Sequence, residues 1–132
     1  VTKTRAKVLV VDDEQLNRDL LRRVLSADYD VREAADAFEA MTLLGAGDPV
    51  DVLVCDQLMP GKNGTELARE TREKWPSIVT ILLTGYADST DVTDAEESGI
   101  IFEGVCKPML VNEFKGVVAR ALQESLRRRA QV

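Results

Sequence analysis

The segment VLVVDD, residues 8–13, is a run of four apolar residues that ends in two aspartates. An uninterrupted apolar run of this length predicts a strand that is buried on both faces, as the strands of parallel sheets are. Apolar residues then recur at helical spacing from Leu16 to Leu25, with Leu20, Leu21 and Val24 between them. A buried strand followed at once by an amphipathic helix is the repeating unit of α/β proteins.

The same alternation continues along the rest of the chain. Four further strands are predicted at Val31–Ala35, Val52–Cys55, Ile78–Leu83 and within Ile100–Cys106. Helical stripes follow them from Ala37 to Leu44, from Leu67 to Trp75, thinly from Asp88 to Ser98, and from Phe114 to Leu126. Five strands alternating with five helices predict an α/β fold with a parallel sheet that is covered on both faces.

Composition narrows the function classes. The chain has 132 residues, the size of one domain, and a formal net charge of −6, which argues against binding nucleic acid through its own surface. The one basic cluster, Arg127–Arg129, is expected to be a solvated helix end. The absence of histidine excludes His-based zinc sites and Ser-His or Cys-His nucleophile pairs.

The cysteines and the short apolar runs suggest where the protein works. Cys55 and Cys106 each end an apolar run and are expected to be small buried hydrophobes rather than a disulfide framework. No apolar run has the length of a signal peptide or a membrane span, so no membrane partner is expected. A cytoplasmic location is therefore predicted.

Residues that can carry chemistry follow four of the five predicted strands. Asp12 and Asp13 follow the first strand, Asp56 the third, Thr84 the fourth and Lys107 the fifth. Ligands of open α/β sheets bind outside the carboxyl ends of the strands. The sequence therefore predicts that three carboxylates, a hydroxyl and an ammonium group meet at one edge of the sheet.

Each of these residues also has an ordinary structural interpretation. An acidic pair after a strand often caps the following helix, and a lone aspartate is often a cap or turn residue. Thr84-Gly85 is typical of a turn, and Lys107-Pro108 is a common surface dipeptide. These interpretations stay open for each residue alone, but they explain poorly why all of them follow strand ends.

Three carboxylates at one edge require a proton or a cation. Two of them about 4 Å apart repel by roughly 4 kcal/mol at an effective dielectric of about 20, and three such pairs cost on the order of 10 kcal/mol. Oxygen ligands without histidine favour Mg²⁺. The adjacent Asp12 and Asp13 suit a metal clamp, whereas Asp56, ahead of a Pro/Gly loop, is the candidate nucleophile for an acyl phosphate. Lys107 supplies a charge for a phosphate oxygen.

The ordered motifs resemble those of the receiver domain of two-component response regulators. The matching stretches are VVDDE at 10–14, DQLMP at 56–60 with Gly64, LLTGYA at 82–87 and CKP at 106–108. The resemblance spans roughly residues 6–126. It implies a flavodoxin-like, doubly wound, five-stranded parallel sheet of strand order 2-1-3-4-5 with five helices.

The resemblance also assigns roles to the metal-binding residues. It implies that Asp56 is the phosphoacceptor and that Asp13, Asp56 and the backbone carbonyl of Leu58 bind Mg²⁺. Asp12 would act through a metal-bound water.

The resemblance further implies that Lys107 pairs with the phosphoryl group, that Thr84 is the switch hydroxyl, and that the Lys107-Pro108 peptide is cis. One position departs from the family. Receiver domains usually carry an aromatic residue three positions before the lysine, and this chain has Gly104 there. In many receiver domains this aromatic side chain rearranges together with the switch threonine on phosphorylation, and Gly104 cannot take that part. Phe102, on the same side of a regular strand, is the nearest alternative.

The predicted function is a phosphorylation-dependent signalling switch that acts only on its own phosphorylation state. A sensor histidine kinase or phosphotransfer protein would supply phosphohistidine. One alternative is an unphosphorylated docking module, which would normally have lost an acidic, Thr or Lys position. The other is a phosphatase with an Asp nucleophile, which normally carries Asp-x-Asp at its first strand and a cap insertion. Residues 1–132 are expected to be a single receiver domain, cut from a longer response regulator or hybrid kinase with a C-terminal effector domain.

Overall fold

Strands and helices alternate through the whole computed structural model, which describes residues 5–131. The strands are β1 (Lys7–Val11), β2 (Asp30–Ala34), β3 (Val52–Asp56), β4 (Val79–Thr84) and β5 (Glu103–Cys106). The helices are α1 (Gln15–Leu25), α2 (Ala37–Gly45), α3 (Gly64–Lys74), α4 (Thr90–Glu97) and α5 (Val111–Ala130). The predicted domain extends to residues 1–4 and Val132, which lie outside the described residues.

All four strand pairings are parallel, and the strand order is β2-β1-β3-β4-β5. The predicted flavodoxin-like α/β fold, with its strand order and five helices, is confirmed. Strand β2 is added on one side of β1 and strand β3 on the other. The carboxyl ends of β1 and β3 therefore lie side by side, with Val11 paired to Cys55. This is the switch point at which open α/β sheets bind ligands.

Alternate strand residues face two separate cores, as the pleat of a sheet requires. Leu9, Leu53 and Cys55 face the core that is covered by α2, α3 and α4. Val8 and Val54 face the other core, which is covered by α1 and α5. Every residue of β4 is buried, and β1 and β3 are each buried at four of their five residues, which explains the mainly apolar pattern of the central strands.

The predicted α1 stripe was partly wrong. Leu21 and Leu25 are buried, but the side chains of Leu16 and Leu20 are 80% and 52% exposed. Spacing places all four on one broad helix face, yet only the part of that face opposite the sheet is covered. Cys106 is also exposed, contrary to prediction, because β5 is the edge strand and Cys106 is its last residue.

The fifth strand lies within the predicted segment and occupies its second half. The amides of Ile100 and Ile101 both donate to the carbonyl of Ala95 at the end of α4, so the chain turns before it extends. Gly99 has φ +77° and supplies the left-handed residue that ends this helix. The extended segment therefore begins only at Glu103.

The basic end of α5 is exposed at Arg127 and Arg129, as expected, and it is also anchored by ion pairs and hydrogen bonds. Arg129 Nη2 lies 2.6 Å from Asp51 Oδ1, and Arg128 Nη1 donates to the carbonyl of Pro76. Arg127 and Arg128 both bond to Glu124 and lower the pKa of its carboxyl to about 2. The contacts of Arg128 and Arg129 with Pro76 and Asp51 tie the last turns of α5 to the loops that precede β4 and β3. Within residues 5–131, none of the helices has the length and apolarity needed to cross a membrane.

Candidate functional site

Asp12, Asp13 and Asp56 meet at the carboxyl edge of the sheet, as predicted. Each of them offers a carboxylate oxygen, and these oxygens lie within 4.8 Å of one another. The parallel register explains the meeting, because Asp12 follows Val11 and Asp56 follows its partner Cys55. Asp12 is buried and Asp13 is exposed, so the cluster extends from the core to the surface.

The acidic pair does not cap the following helix. Helix α1 begins at Gln15, its N-cap residue is Glu14, and no side chain caps it. Asp12 Oδ1 accepts a hydrogen bond from the Glu14 amide at 2.9 Å, which is a local turn contact. Asp12 Oδ2 has no hydrogen-bond partner. Among the described residues 5–131, it is the one buried side-chain oxygen or nitrogen without such a partner. Buried polar atoms normally have partners, so this oxygen marks a place for a ligand.

The electrostatic environment of Asp12 disfavours its charged form. Burial raises the pKa of the Asp12 carboxyl, and the nearby charge of Asp56 raises it further. The Glu14 amide, the Lys107 ammonium and the nearby Asn17 side chain lower this pKa without cancelling the rise. A divalent cation would remove this penalty, because it neutralises the carboxylates that repel each other.

Lys107 follows the edge strand β5 and reaches the cluster past the end of β4. Its Nζ lies 3.1 Å from Asp56 Oδ1, and the side chains of the pair are 34% and 12% exposed. The Lys107 amide donates to the carbonyl of Thr84, and the Lys107-Pro108 peptide is cis, as the resemblance implied. Lys107 is therefore a partner of the acidic cluster and not a free surface lysine.

Thr84 and the residues that flank the site occupy the remaining strand ends. Thr84 is buried, and its Oγ1 accepts a hydrogen bond from the Tyr86 amide at 3.1 Å, so the turn role left open by the sequence is real. Asp56 pairs with Leu83, which places Thr84 one residue beyond it on the adjacent strand. The side chains of Leu58 and Tyr86 are each 67% exposed.

Gly104 allows α4 to pack directly against β5. A Cβ atom at Gly104 would lie 2.6 Å from Val92 Cγ1 and 3.1 Å from Glu96 Oε1. The Gly104 amide, which lies on the edge strand, donates to Glu96 Oε1 at 2.8 Å. Helix α4 therefore fills the space that a side chain at position 104 would need.

Phe102 does not take the place of the missing aromatic residue. It packs with the core under α1 and α5, whereas the Cβ position of Gly104 faces α4. The expected alternation fails because the regular strand begins only at Glu103, so Phe102 lies in the preceding turn.

Two hydrogen-bonded side chains were missed by sequence reasoning. Gln57 is 8% exposed, and its Oε1 accepts from the Thr65 amide at 2.9 Å. A polar residue directly after a buried strand was the available signal for it. Glu96 lies in an acid-rich helix, where nothing in the sequence distinguishes it from its neighbours.

The sequence model of the response regulator receiver domain family matches residues 8–119. The chain belongs to this family. Receiver domains are signalling switches, and their role in response regulators is that of a phosphoacceptor. The receiver fold and the strand-end motifs thus agree with the function class that the sequence predicted.

Curated relatives of this receiver domain are regulators of transcription. The chain is 40% identical to the hydrogenase transcriptional regulatory protein HoxA of Cupriavidus necator over 119 residues, which cover 90% of this chain and 24% of that protein. It is 34% identical to HoxA of Bradyrhizobium diazoefficiens, with 88% and 24% covered. The receiver domain spans about a quarter of the length of these relatives.

Solved structures share the fold. The signal receiver domain of an HD domain-containing protein from Pseudomonas fluorescens Pf-5 has a TM-score of 0.90 at 28% identity, and the match covers 100% of this chain and 97% of that one. The response regulator TrrA of Thermotoga maritima has a TM-score of 0.76 at 32% identity, with 88% and 98% covered. TrrA was crystallised in complex with Mg²⁺-BeF.

Replacing Asp12 by Asn removes one of the crowded charges and gives the unpartnered position a hydrogen-bond donor. We expect the free energy of unfolding of the metal-free protein to rise by about 1 kcal/mol, because one of the mutually repelling charges is removed. Urea denaturation in EDTA measures this change.

The control for this prediction is Asp28→Asn, which removes a charge from an exposed position outside the cluster and should shift stability by less than about 0.5 kcal/mol. Asp12→Asn should also lose most of the stabilisation that added Mg²⁺ gives the parent. A metal-free Asp12→Asn that is less stable than the parent would show that the carboxylate is not under repulsive strain.

Proposed function

We propose that this receiver domain is a phosphoacceptor switch in which Asp56 takes a phosphoryl group from the phosphohistidine of a sensor kinase or phosphotransfer protein. The observation that supports this proposal is the meeting of three carboxylates with an ammonium group 3.1 Å from Asp56. The chain acts on its own phosphorylation state and not on a separate substrate.

The site residues fit Mg²⁺. All three clustered side chains offer oxygen, the donor that this ion prefers, and a buried oxygen of Asp12 lacks a partner. Asp13, Asp56 and the Leu58 carbonyl would hold the ion, and Asp12 would act through a water. When bound, Mg²⁺ would neutralise the carboxylates and hold oxygens of the incoming phosphoryl group.

The chain's own residues position the acceptor. Lys107 holds one oxygen of Asp56 and keeps this carboxylate at the mouth of the site. In the transfer, an Asp56 oxygen forms a bond to phosphorus while the bond between phosphorus and the donor histidine nitrogen breaks. Lys107 then serves as a point charge for a phosphoryl oxygen. Thr84 Oγ1 is the nearby hydroxyl that would bond to another.

The first test is phosphorylation of the purified domain by acetyl phosphate. We expect one phosphoryl adduct by intact mass when Mg²⁺ is present and none when EDTA is present. Asp56→Ala should abolish the adduct because it removes the acceptor, whereas Asp28→Ala, at an exposed position, should retain it. An adduct that persists in Asp56→Ala would reject the assignment.

Partners and context follow from the length of the relatives. The receiver domain covers about a quarter of each HoxA protein, so we propose a longer response regulator in which an effector domain follows α5. A receiver domain that takes phosphoryl groups from a kinase would work in the cytoplasm. Nucleic-acid binding would then belong to the effector and not to this acidic domain, whose net charge is −6.

The conformational response is proposed to run through Thr84 and α4. Phosphorylation adds about −1.5 to −2 charge and new acceptor oxygens, and Thr84 is the nearby donor. Helix α4 contributes only Val92 and Ala95 to the buried core. The Glu96–Gly104 hydrogen bond also joins it to β5, and the Ile100 and Ile101 amides join its last turn to the segment before β5. A helix with so few contacts lies at the low-stability end of the domain.

A phosphoryl mimic such as beryllofluoride should therefore alter amide exchange most strongly from Thr84 through α4, including the Gly104 amide. Hydrogen exchange measured by mass spectrometry or NMR, with and without the mimic, tests this prediction. Changes confined to α1 and α2 would contradict it.

Two neighbouring glutamates provide the matched pair. Glu96→Ala removes the acceptor of the Gly104 amide and should speed the exchange of that amide before any phosphorylation. Glu97→Ala removes an equal charge from the same helix and should leave the Gly104 amide unchanged. Equal exchange in both variants would show that the hydrogen bond does not hold α4 to β5.

Leu58 and Tyr86 are proposed to make the aspartyl phosphate long-lived. Hydrolysis requires a water aligned with phosphorus, opposite the leaving carboxylate. Leu58 follows the acceptor by two residues and Tyr86 follows Thr84 by two, and both side chains are exposed. Leucine cannot orient a water, and tyrosine is bulky enough to cover a phosphoryl group.

The double substitution Leu58→Asn with Tyr86→Glu should speed dephosphorylation about tenfold, or roughly 1.4 kcal/mol in barrier. Single-turnover loss of phosphate measures the rate. Phe38→Asn, at an exposed apolar position on α2, should leave the rate unchanged. Equal rates for the parent and the double variant would mean that both side chains only pack on the surrounding loops.

A further inference from the structure

The side chain of Gln57 is buried beside the site, and the proposed chemistry does not use it. Gln57 directly follows the acceptor Asp56 and directly precedes Leu58. Its Oε1 accepts from the Thr65 amide at 2.9 Å, and its Nε2 lies 3.4 Å from Thr65 Oγ1. The carboxamide therefore reaches across the loop of residues 58–63 and contacts the first turn of α3.

Backbone contacts bring α3 against the end of β3 at the same place. The Gly64 amide donates to the carbonyl of Gln57 at 3.0 Å. A Cβ atom at Gly64 would lie 2.6 Å from the carbonyl oxygen of Asp56 and 3.1 Å from Gln57 Cα. Glycine is therefore needed for the helix to begin directly on the backbone of the acceptor strand.

Gln57 accepts hydrogen bonds from two of the first three backbone amides of α3. The first amides of a helix have no partner within the helix. Here the Gly64 amide bonds to the Gln57 carbonyl, the Thr65 amide to the Gln57 side chain, and the Glu66 amide to Asn63 Oδ1. The hydrogen bonds of Gln57 thereby link the two ends of the loop of residues 58–63.

At its far end the loop is ordered by Asn63, which forms a capping box with Glu66 at the start of α3. Met59 is buried in the core, but Leu58, Pro60 and Gly61 are exposed, and Lys62 pairs with the side chain of Glu70 at the surface. The closure made by Gln57 is therefore the side-chain restraint that lies directly beside the Leu58 backbone, whereas Asn63 restrains the far end of the loop. A neutral carbonyl ligand adds to metal affinity only where the protein already holds it in place.

We propose that Gln57 is a positioning residue of the metal site, which fixes the Leu58 carbonyl through its hydrogen bond to the Thr65 amide. This inference rests on the proposed function, because it takes the Leu58 carbonyl to be a Mg²⁺ ligand. It goes beyond that function in assigning part of the Mg²⁺ affinity to a side chain that touches neither the ion nor the phosphoryl group.

The test variant is Gln57→Met, which keeps the length of the side chain and removes the acceptor of the Thr65 amide. Calorimetric titration should show Mg²⁺ binding about fivefold weaker than in the parent. The Mg²⁺ concentration that half-saturates phosphorylation by acetyl phosphate should rise by the same factor. At saturating Mg²⁺ the rate should return to within about twofold of the parental rate, because Asp56 and Lys107 are unchanged.

Thr65→Val is the matched control. It removes the hydroxyl that Gln57 Nε2 approaches and that donates to Asn63 Oδ1, but it keeps the Thr65 amide, so the bond to Gln57 Oε1 remains. Its Mg²⁺ affinity should stay within about twofold of the parental value. A general weakening of the loop would lower the affinity of both variants alike, and that result would overturn the proposal.

A Gln57→Met protein that binds Mg²⁺ as tightly as the parent, with only a lower Tm, would show that Gln57 is a helix cap and nothing more. If circular dichroism shows that Gln57→Met does not fold, Gln57→Leu is measured by the same criteria. Failure of the proposed function has a separate signature, since the parent itself would then neither bind Mg²⁺ nor form the Asp56 adduct.

Discussion

Like charges held together at the carboxyl edge of the sheet are the constraint on which this receiver domain depends. Three carboxylates offer oxygens within 4.8 Å of one another, and one of those residues is buried. The fold imposes the crowding, since β1 and β3 are adjacent and in register at their ends. Lys107 offsets part of the charge, while burial keeps the pKa of Asp12 raised and leaves its Oδ2 without a partner. The metal-free domain is therefore under a repulsion that a divalent cation would relieve.

The elements around this edge differ in how firmly they are attached. Helix α3 begins directly on the acceptor strand, where a glycine permits the approach and the Gln57 side chain closes the loop. Helix α5 is anchored at its far end by Arg128 and Arg129. Helix α4, in contrast, buries two residues, and hydrogen bonds of its Glu96 side chain and Ala95 carbonyl join it to β5 and the segment before it. A charge change at the site is thus met by a rigid support on one side and a weakly held helix on the other.

Residues whose role depends on their place at a strand end could be predicted from the sequence. Apolar runs locate strand ends, and the rule that ligands bind at the carboxyl ends of parallel strands brings Asp12, Asp56 and Lys107 together without knowledge of any contact. Predictions that depended on the orientation of a helix on the sheet, or on which strand lies at the sheet edge, were less reliable. Leu16 and Leu20 have the spacing of core residues, yet they are exposed because the sheet covers only part of that face of α1.

The sequence by itself determined the alternation of strands and helices, the family, and the set of side chains at the acidic edge, because each of these is encoded by local periodicity or by short motifs. Only the tertiary structure decided that Asp12 keeps one oxygen without a partner, that Gln57 reaches α3, and that Glu96 bonds to Gly104. These contacts depend on how each helix is rotated and shifted over the sheet. That placement is set by the packing of the whole core, and no local pattern of residues records it.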